Sequence, residues 1–194
     1  MHTQFISYIQ KHSKTPIKAN EIELIKRVSI PKSLKKKEFF LEKGKICRHL
    51  GFIVKGAMRQ YSVDDRGVEH LVRLSVENWF VQDRESFTLE QPSSYFIDAW
   101  ENTNLLVITK ESLDKLMTIP AIAEISTCLD EVFAMQRRIN ATISMSAFER
   151  YKYFEDNYPE FIGRFPQHII ASYLGITKET LSRVLNKTKF PPLM

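Results

Sequence analysis

The sequence predicts an α+β fold. An N-terminal antiparallel β-roll of jelly-roll type, with flanking helices, precedes a long helix and a small helical C-terminal domain. Three observations carry this expectation. Between Phe39 and Ile108 the chain is a series of short β-branched and aromatic runs separated by turn residues, the texture of an all-β roll or barrel. From Ile122 to Ile143 apolar residues recur at alternating steps of three and four, the period of a helix with one narrow apolar stripe. Near the C-terminus two short apolar-periodic segments meet at Gly175, as two crossing helices do.

The totals suit such a fold. A chain of 194 residues holds one large domain or two small ones. With 43% hydrophobic and 26% charged residues it has the balance of a soluble globular protein. No apolar run reaches the length of a membrane span. The start, "MHTQFISYIQKHSKTP", lacks the apolar centre of a signal peptide. The expectation is a cytoplasmic protein with no membrane partner. Cys47 and Cys128 are too few for a disulfide framework or a four-cysteine metal site. The formal charge is +5, and nine basic against five acidic residues from Arg137 onward place +4 of it in the last third. That asymmetry fits a polyanion-binding module at the C-terminus, whereas charge alone would fit a solvated surface.

Each element has its own signal. The segment up to about Val28 reads as helical, with Ile17, Ile22, Leu24 and Ile25 apolar, Asn20 as a cap and an end near Ser29. Pro31 breaks that pattern. The run Lys35-Lys36-Lys37 reads as a solvated strand edge or loop. "HLGFIVKGAMRQYSV" supplies strands, "DDRG" at 64–67 a hairpin turn, and "EHLVRLSV" the return strand. "YFIDAW" and "NLLVIT" complete the roll.

Pro120 suits a first helical turn. Ile122, Ile125, Leu129, Val132, Gln136, Ile139 and Ile143 then form a heptad seam with one polar member. Either a second copy of the chain or the chain's own β-domain covers such a stripe. Seven regular positions favour a second copy, hence a homodimer. Ser146 and Glu149 form a capping box that opens a new helix, so a domain boundary falls near 144–146. The expected division is 1–144, including a dimerisation helix over about 120–144, and 145–194.

The segment from Pro166 to Leu174 is a short helix with Ile170 and Leu174 inward and the small Ala171 at a crossing point. Gly175 permits the left-handed turn. Thr177 caps a second helix through Leu185, with Leu181, Val184 and Leu185 inward. Lys178, Glu179, Ser182 and Arg183 remain outside. This is the layout of a helix-turn-helix, and the exposed set suits a major groove. Arg183 matches the paired acceptors of guanine, and Glu179 can accept from cytosine. Lys178 reaches a base or a phosphate. The amides near Gln167 and His168, at the first helix's N-terminus, suit a phosphate. Lys187 and Lys189 suit backbone contacts. Double-stranded DNA is the expected partner.

"GITKETLSRVL" resembles the recognition motif of the Crp/Fnr superfamily of bacterial transcription regulators. "EKGKICRHLGFIVKGAMRQYSVDDRGVEHLVRLSVENWF" resembles that family's cyclic-nucleotide-binding-type β-roll, and the helix after Pro120 its dimerisation helix. The resemblance implies a homodimer that reads a near-palindromic operator through Lys178, Glu179, Ser182 and Arg183, with RNA polymerase as a further partner. Family members that bind cyclic AMP carry Gly-Glu for the ribose and, about ten residues on, Arg-Ser or Arg-Thr for the phosphate. Here Gln82-Asp83 and Ser93-Ser94 stand at those places, with Arg84 adjacent. A cyclic phosphate would lack its charged partner, so regulation independent of cyclic AMP is expected and the small-molecule effector stays open. Tyr95, Phe96 and Trp100 are expected to fill the roll. The family's β-wing after the recognition helix is missing or vestigial, since the chain closes with "NKTKFPPLM".

Other chemistries find little support. An iron–sulfur sensor needs a cysteine cluster, and no haem ligands stand out. Cys47 reads as a small buried hydrophobe. A cupin-type enzyme needs a metal-binding cluster, and the strands offer only His49 and His70. No nucleophile–base pair or phosphate-cradling loop occurs. The expectation is therefore no enzyme activity, no metal and no cofactor. The alternative is a ligand-binding or protein-interaction β-roll whose helix pair is only structural.

Overall fold

The computed structural model describes residues 1–126 and 130–189, with side chains placed over 1–125 and 136–186. The chain forms two compact units, Met1–Ser62 with Arg73–Cys128, and Val63–Val72 with Leu129–Met194.

The first unit begins with α1 (His2–His12) and α2 (Ala19–Val28). Lys18, not Asn20, sits at the N-cap of α2, and Glu21 reaches back to the Lys18 amide at 2.7 Å. The described residues form eight strands: β1 (Ile30–Leu34), β2 (Phe39–Leu41), β3 (His49–Lys55), β4 (Met58–Val63), β5 (Glu69–Ser75), β6 (Phe80–Val81), β7 (Phe96–Ala99) and β8 (Thr103–Thr109). They form two four-stranded sheets, ordered β1-β8-β3-β6 and β2-β7-β4-β5. Helix α3 (Arg84–Leu89) interrupts the strands, and α4 (Lys110–Leu116) and α5 (Pro120–Ser126) follow them.

Side-chain alternation divides the core into two layers. Leu34, Leu41, Ile53, Met58, Val81, Ile97, Ala99 and Leu105 come from both sheets and pack into one cluster. Leu50, Phe52, Leu106 and Ile108 point to the opposite face of the first sheet, where Phe5, Ile9, Ile25 and Leu116 from the helices and Ile119 from the α4–α5 bend cover them. Strand β8 is thus buried on both faces, which explains why "NLLVIT" is a continuous apolar run. The turn from β3 to β4 requires Gly56. Its φ is +113°, and a Cβ there would lie 2.6 Å from the Thr103 Cα.

The predicted "DDRG" turn joins β4 to β5. The Asp64 carboxylate accepts from the Arg66 and Val68 amides at 2.9 Å each and pairs with His70 Nε2 at 2.9 Å. This turn and the start of β5 belong to the second unit.

The second unit continues with α6 (Asp130–Ser144), α7 (Ala147–Asn157), a 3₁₀ turn at Pro159–Phe161, α8 (Gln167–Leu174) and α9 (Lys178–Lys189). The capping box of Ser146 and Glu149 starts α7 as predicted. Phe154, Phe161 and Leu181 are fully buried. Phe154 also meets the Tyr173 ring at 5.7 Å between centroids. Helix α9 extends to Lys189, beyond the Leu185 end predicted from sequence. No breaker occurs before Pro191, so nothing local stops the helix earlier. The expected absence of a wing falls on 190–194, outside the described residues. Among the described residues no helix is long and apolar enough to cross a membrane.

Candidate nucleic-acid interface and effector region

Helices α8 and α9 meet at a turn built by local chemistry. Gly175 takes φ +68° at the C-cap of α8, where its amide and that of Ile176 return to the Ser172 and Ala171 carbonyls. Thr177 Oγ1 accepts from the Thr180 amide at 3.2 Å and caps α9. Ile169, Ile170, Ala171 and Leu174 on α8, with Leu181 and Val184 on α9, are buried. Burying that stripe leaves Lys178, Glu179, Ser182 and Arg183 exposed together on α9. Thr177 is also exposed, and Gln167 and His168 stand exposed in the first turn of α8. The side chains of Lys187 and Lys189 lie outside the described residues.

The basic excess of this segment is smaller outside than its composition implies. Arg138 and Arg150 were both counted toward it, yet both turn inward to backbone carbonyls. Arg138 donates to the carbonyls of Leu71 and Val72, and to that of Tyr173 at 2.9 Å. Burial shifts its guanidinium below the ordinary arginine value. Arg150 donates to the carbonyls of Met145, Leu174 and Thr142 at 3.0, 3.2 and 2.7 Å. Lys152 pairs with Glu155 at 2.7 Å. Sequence reasoning missed the two arginines because nothing local marks an arginine as inward. The C-terminal carbonyls of a helix, which attract cations, were the available signal.

The seam residues do not share one environment. Ile122 is buried in the first unit's core, and Ile125 packs partly against the same cluster. Ile122 shares that cluster with Phe5 and Ile9 of α1. Leu129 and the side chain of Val132 lie outside the described residues. Gln136 is exposed, and Ile139 and Ile143 are 59% and 80% exposed. An exposed groove runs along Gln136, Arg137, Ile139, Asn140 and Ile143.

In the roll, two of the five candidate effector residues meet. Asp83 is buried, caps α3 by accepting from the Ser86 amide, and accepts from Ser93 Oγ at 2.6 Å. Ser94 and Arg84 are exposed. Gln82 lines a cavity of only about 10 Å³ with Met58, Arg59, Gln60, Arg73, Ser75, Val81 and Ile97. Its buried Oε1 has no hydrogen-bond partner. Pockets for small molecules usually span about 300–1,000 Å³. Arg59, one of two half-buried arginines that line the cavity, is held by Asp98 through two bonds of 2.9 Å and stacks on Tyr61 at 4.3 Å. Of the three aromatics expected to fill the roll, Phe96 and Trp100 pack on neighbouring side chains, and Tyr95 is half-buried. Phe96 stacks on Tyr61, and Trp100 lies under Arg59.

Cys47 is buried, and burial raises its thiol pKa, as befits an inert thiol. Burial and the nearby charges of Lys32 and Arg48 lower that of His49. Among the described residues no three His, Cys, Asp or Glu gather as a metal site.

Comparison with known proteins bears on the fold. Residues 31–119 match the cyclic nucleotide-binding domain family. FixK2 from Bradyrhizobium japonicum superposes with a TM-score of 0.68 at 19% identity, over 84% of this chain and 85% of that one. The c-di-GMP-responsive global regulator CLP from Xanthomonas campestris gives 0.67 at 16%, over 89% and 92%. A CRP/FNR-family transcriptional regulator from Thermus thermophilus gives 0.62 at 18%, over 82% and 86%. No curated protein sequence matches the chain. The roll is thus similar to cyclic nucleotide-binding domains over residues 31–119, and the chain shares the fold of solved Crp/Fnr-type regulators over 82–89% of its length.

Proposed function

We propose that this chain is a sequence-specific DNA-binding transcription regulator of Crp/Fnr type. It binds a near-palindromic operator as a homodimer and does so without cyclic AMP. One observation carries the reading. A capped helix pair buries Leu181 and Val184 and leaves Lys178, Glu179, Ser182 and Arg183 side by side on one exposed face of α9. That face holds the donors and acceptors that a major groove answers. Gln167, His168, Thr177, Lys187 and Lys189 are assigned to the phosphate backbone.

The dimer seam is assigned to Gln136, Ile139 and Ile143, with Leu129 and Val132 continuing it. Two isoleucines one turn apart and mostly exposed are an apolar face in need of cover. Residues 145–194 act as the reading head and 1–144 as the regulatory part, with RNA polymerase as a partner, a cytoplasmic location and no enzyme activity. Independence from cyclic AMP is supported by the pocket. The Gln82 side chain stands where the family has glycine, and Ser93, bonded to Asp83, stands where it has arginine.

Selection of duplexes from a randomised pool, followed by gel-shift titration, tests the proposal. Recovery of a near-palindrome with half-sites about ten base pairs apart is the expected result. Recovery of no duplex would favour a ligand-binding or protein-interaction module.

A further inference from the structure

Strand β5 lies at the end of its sheet, and an edge strand carries backbone groups without a strand partner. In the second unit those groups are taken by side chains from α6 and α8. The Leu71 amide donates to Ser172 Oγ at 3.2 Å, and Ser172 Oγ donates to the Glu69 carbonyl at 3.4 Å. Arg138 of α6 donates to the carbonyls of Leu71 and Val72. The same guanidinium donates to the Tyr173 carbonyl in the last turn of α8 and lies 4.3 Å from the Tyr173 ring centre. One side chain therefore joins three elements: the β4–β5 hairpin, α6 and the first helix of the reading pair. Arg138 is half-buried, and its donors meet the carbonyls of Leu71, Val72 and Tyr173, the last at the negative end of α8. A planar fork with five donors suits three carbonyls at once, which a lysine's point charge does not match.

We infer that Arg138 is a positioning residue for DNA recognition: it locks the α8–α9 pair to the hairpin and so fixes the direction in which α9 is presented. The inference rests on the DNA-binding homodimer proposed above. Arg138 does not belong to the reading face, because Lys178, Glu179, Ser182 and Arg183 are exposed while Arg138 is turned to backbone. Its contribution lies in pre-organisation. Two heads held at a set angle engage two half-sites with little ordering cost, whereas a loosened head must be ordered at binding.

The test uses full-length protein, the duplex recovered by selection, and the same duplex with one half-site scrambled. Arg138→Met should lower affinity for the full site by roughly tenfold and leave the half-site within about twofold of wild type. It should also widen tolerance to half-site spacing. Ser172→Ala, a milder change, should move the ratio of full-site to half-site affinity the same way, and Arg138→Lys should recover part of the loss. A merely structural role would weaken both duplexes equally and leave that ratio unchanged. An unchanged ratio in Arg138→Met and Ser172→Ala overturns the inference while leaving the DNA-binding reading intact. Failure of the wild-type chain to select any duplex overturns both.

Discussion

Arg59 and Asp98 show how a single pair organises one face of the roll. Their side chains are only 11% and 5% exposed and meet through Arg59 Nε and Asp98 Oδ1 at 2.9 Å, with a second bond from Nη2. Taking two charges out of water costs several kcal/mol per ion, and the pair offsets that only while both members are present. Asp98→Ala should therefore destabilise the fold by about 3–5 kcal/mol in urea titration, because Arg59 would keep a buried charge without its carboxylate. Arg183 is the opposite kind of residue, exposed and without a packing role. Arg183→Ala should leave the urea midpoint unchanged. It should cost roughly 1–3 kcal/mol on the selected operator and relax preference at one base pair per half-site. Equal losses on operator and scrambled DNA would move specificity to Lys178, Glu179 or DNA shape.

Two elements carry predictions of their own. The Asp64–Gly67 turn depends on one carboxylate. A hydrogen bond from His70, then one from the Val68 amide, holds the Asp64 pKa below its ordinary value. A carboxyl with a depressed folded pKa contributes stability above its unfolded pKa and loses it as pH falls through the folded one. Protection of the Arg66 and Val68 amides should be constant near neutrality and fall on acidification through that range, and Asp64→Asn should abolish the pH dependence. Amide exchange followed by NMR measures both. Helix α6 makes the other prediction. Ile139 and Ile143 are the exposed isoleucines of the seam, so replacing both with lysine should yield monomers in sedimentation, since charges would enter a desolvated contact. Ile122→Ala should instead lower stability without changing the oligomeric state, because Ile122 is already buried in its own unit. A dimer that survives the lysine double variant would place the seam elsewhere.

At the scale of the whole molecule, the proposed independence from cyclic AMP turns on a roll interior largely filled by its own side chains. Asp83 already accepts from Ser93 Oγ and from the Ser86 amide, so ribose hydroxyls would have to displace internal bonds. Ser93 is uncharged where cyclic-AMP-binding members have their phosphate arginine, and Arg59 pairs with Asp98. Titration calorimetry with cyclic AMP and cyclic GMP should show no binding in the micromolar range, and neither should alter operator affinity. Micromolar binding of either nucleotide would require Gln82 and the Asp83–Ser93 bond to rearrange, and would overturn the reading.

How much of this was legible before folding follows from the range of each signal. The sequence by itself determined the C-terminal helix pair, because Gly175, the Thr177 cap and the apolar steps at Ile170, Leu174, Leu181 and Val184 act within one or two helical turns. It also determined the roll, through alternation along strands and the Asp64–Gly67 turn. Only the tertiary structure decided where Arg138 and Arg150 point, since their acceptors include carbonyls up to 67 residues away in the chain. Tertiary packing also divided the heptad. Ile122 and Ile143 occupy equivalent places in the pattern, yet the first is buried in the first unit's core with α1 and the second is 80% exposed. A periodic stripe states that a face is apolar, and only the neighbours brought by the fold decide what covers it.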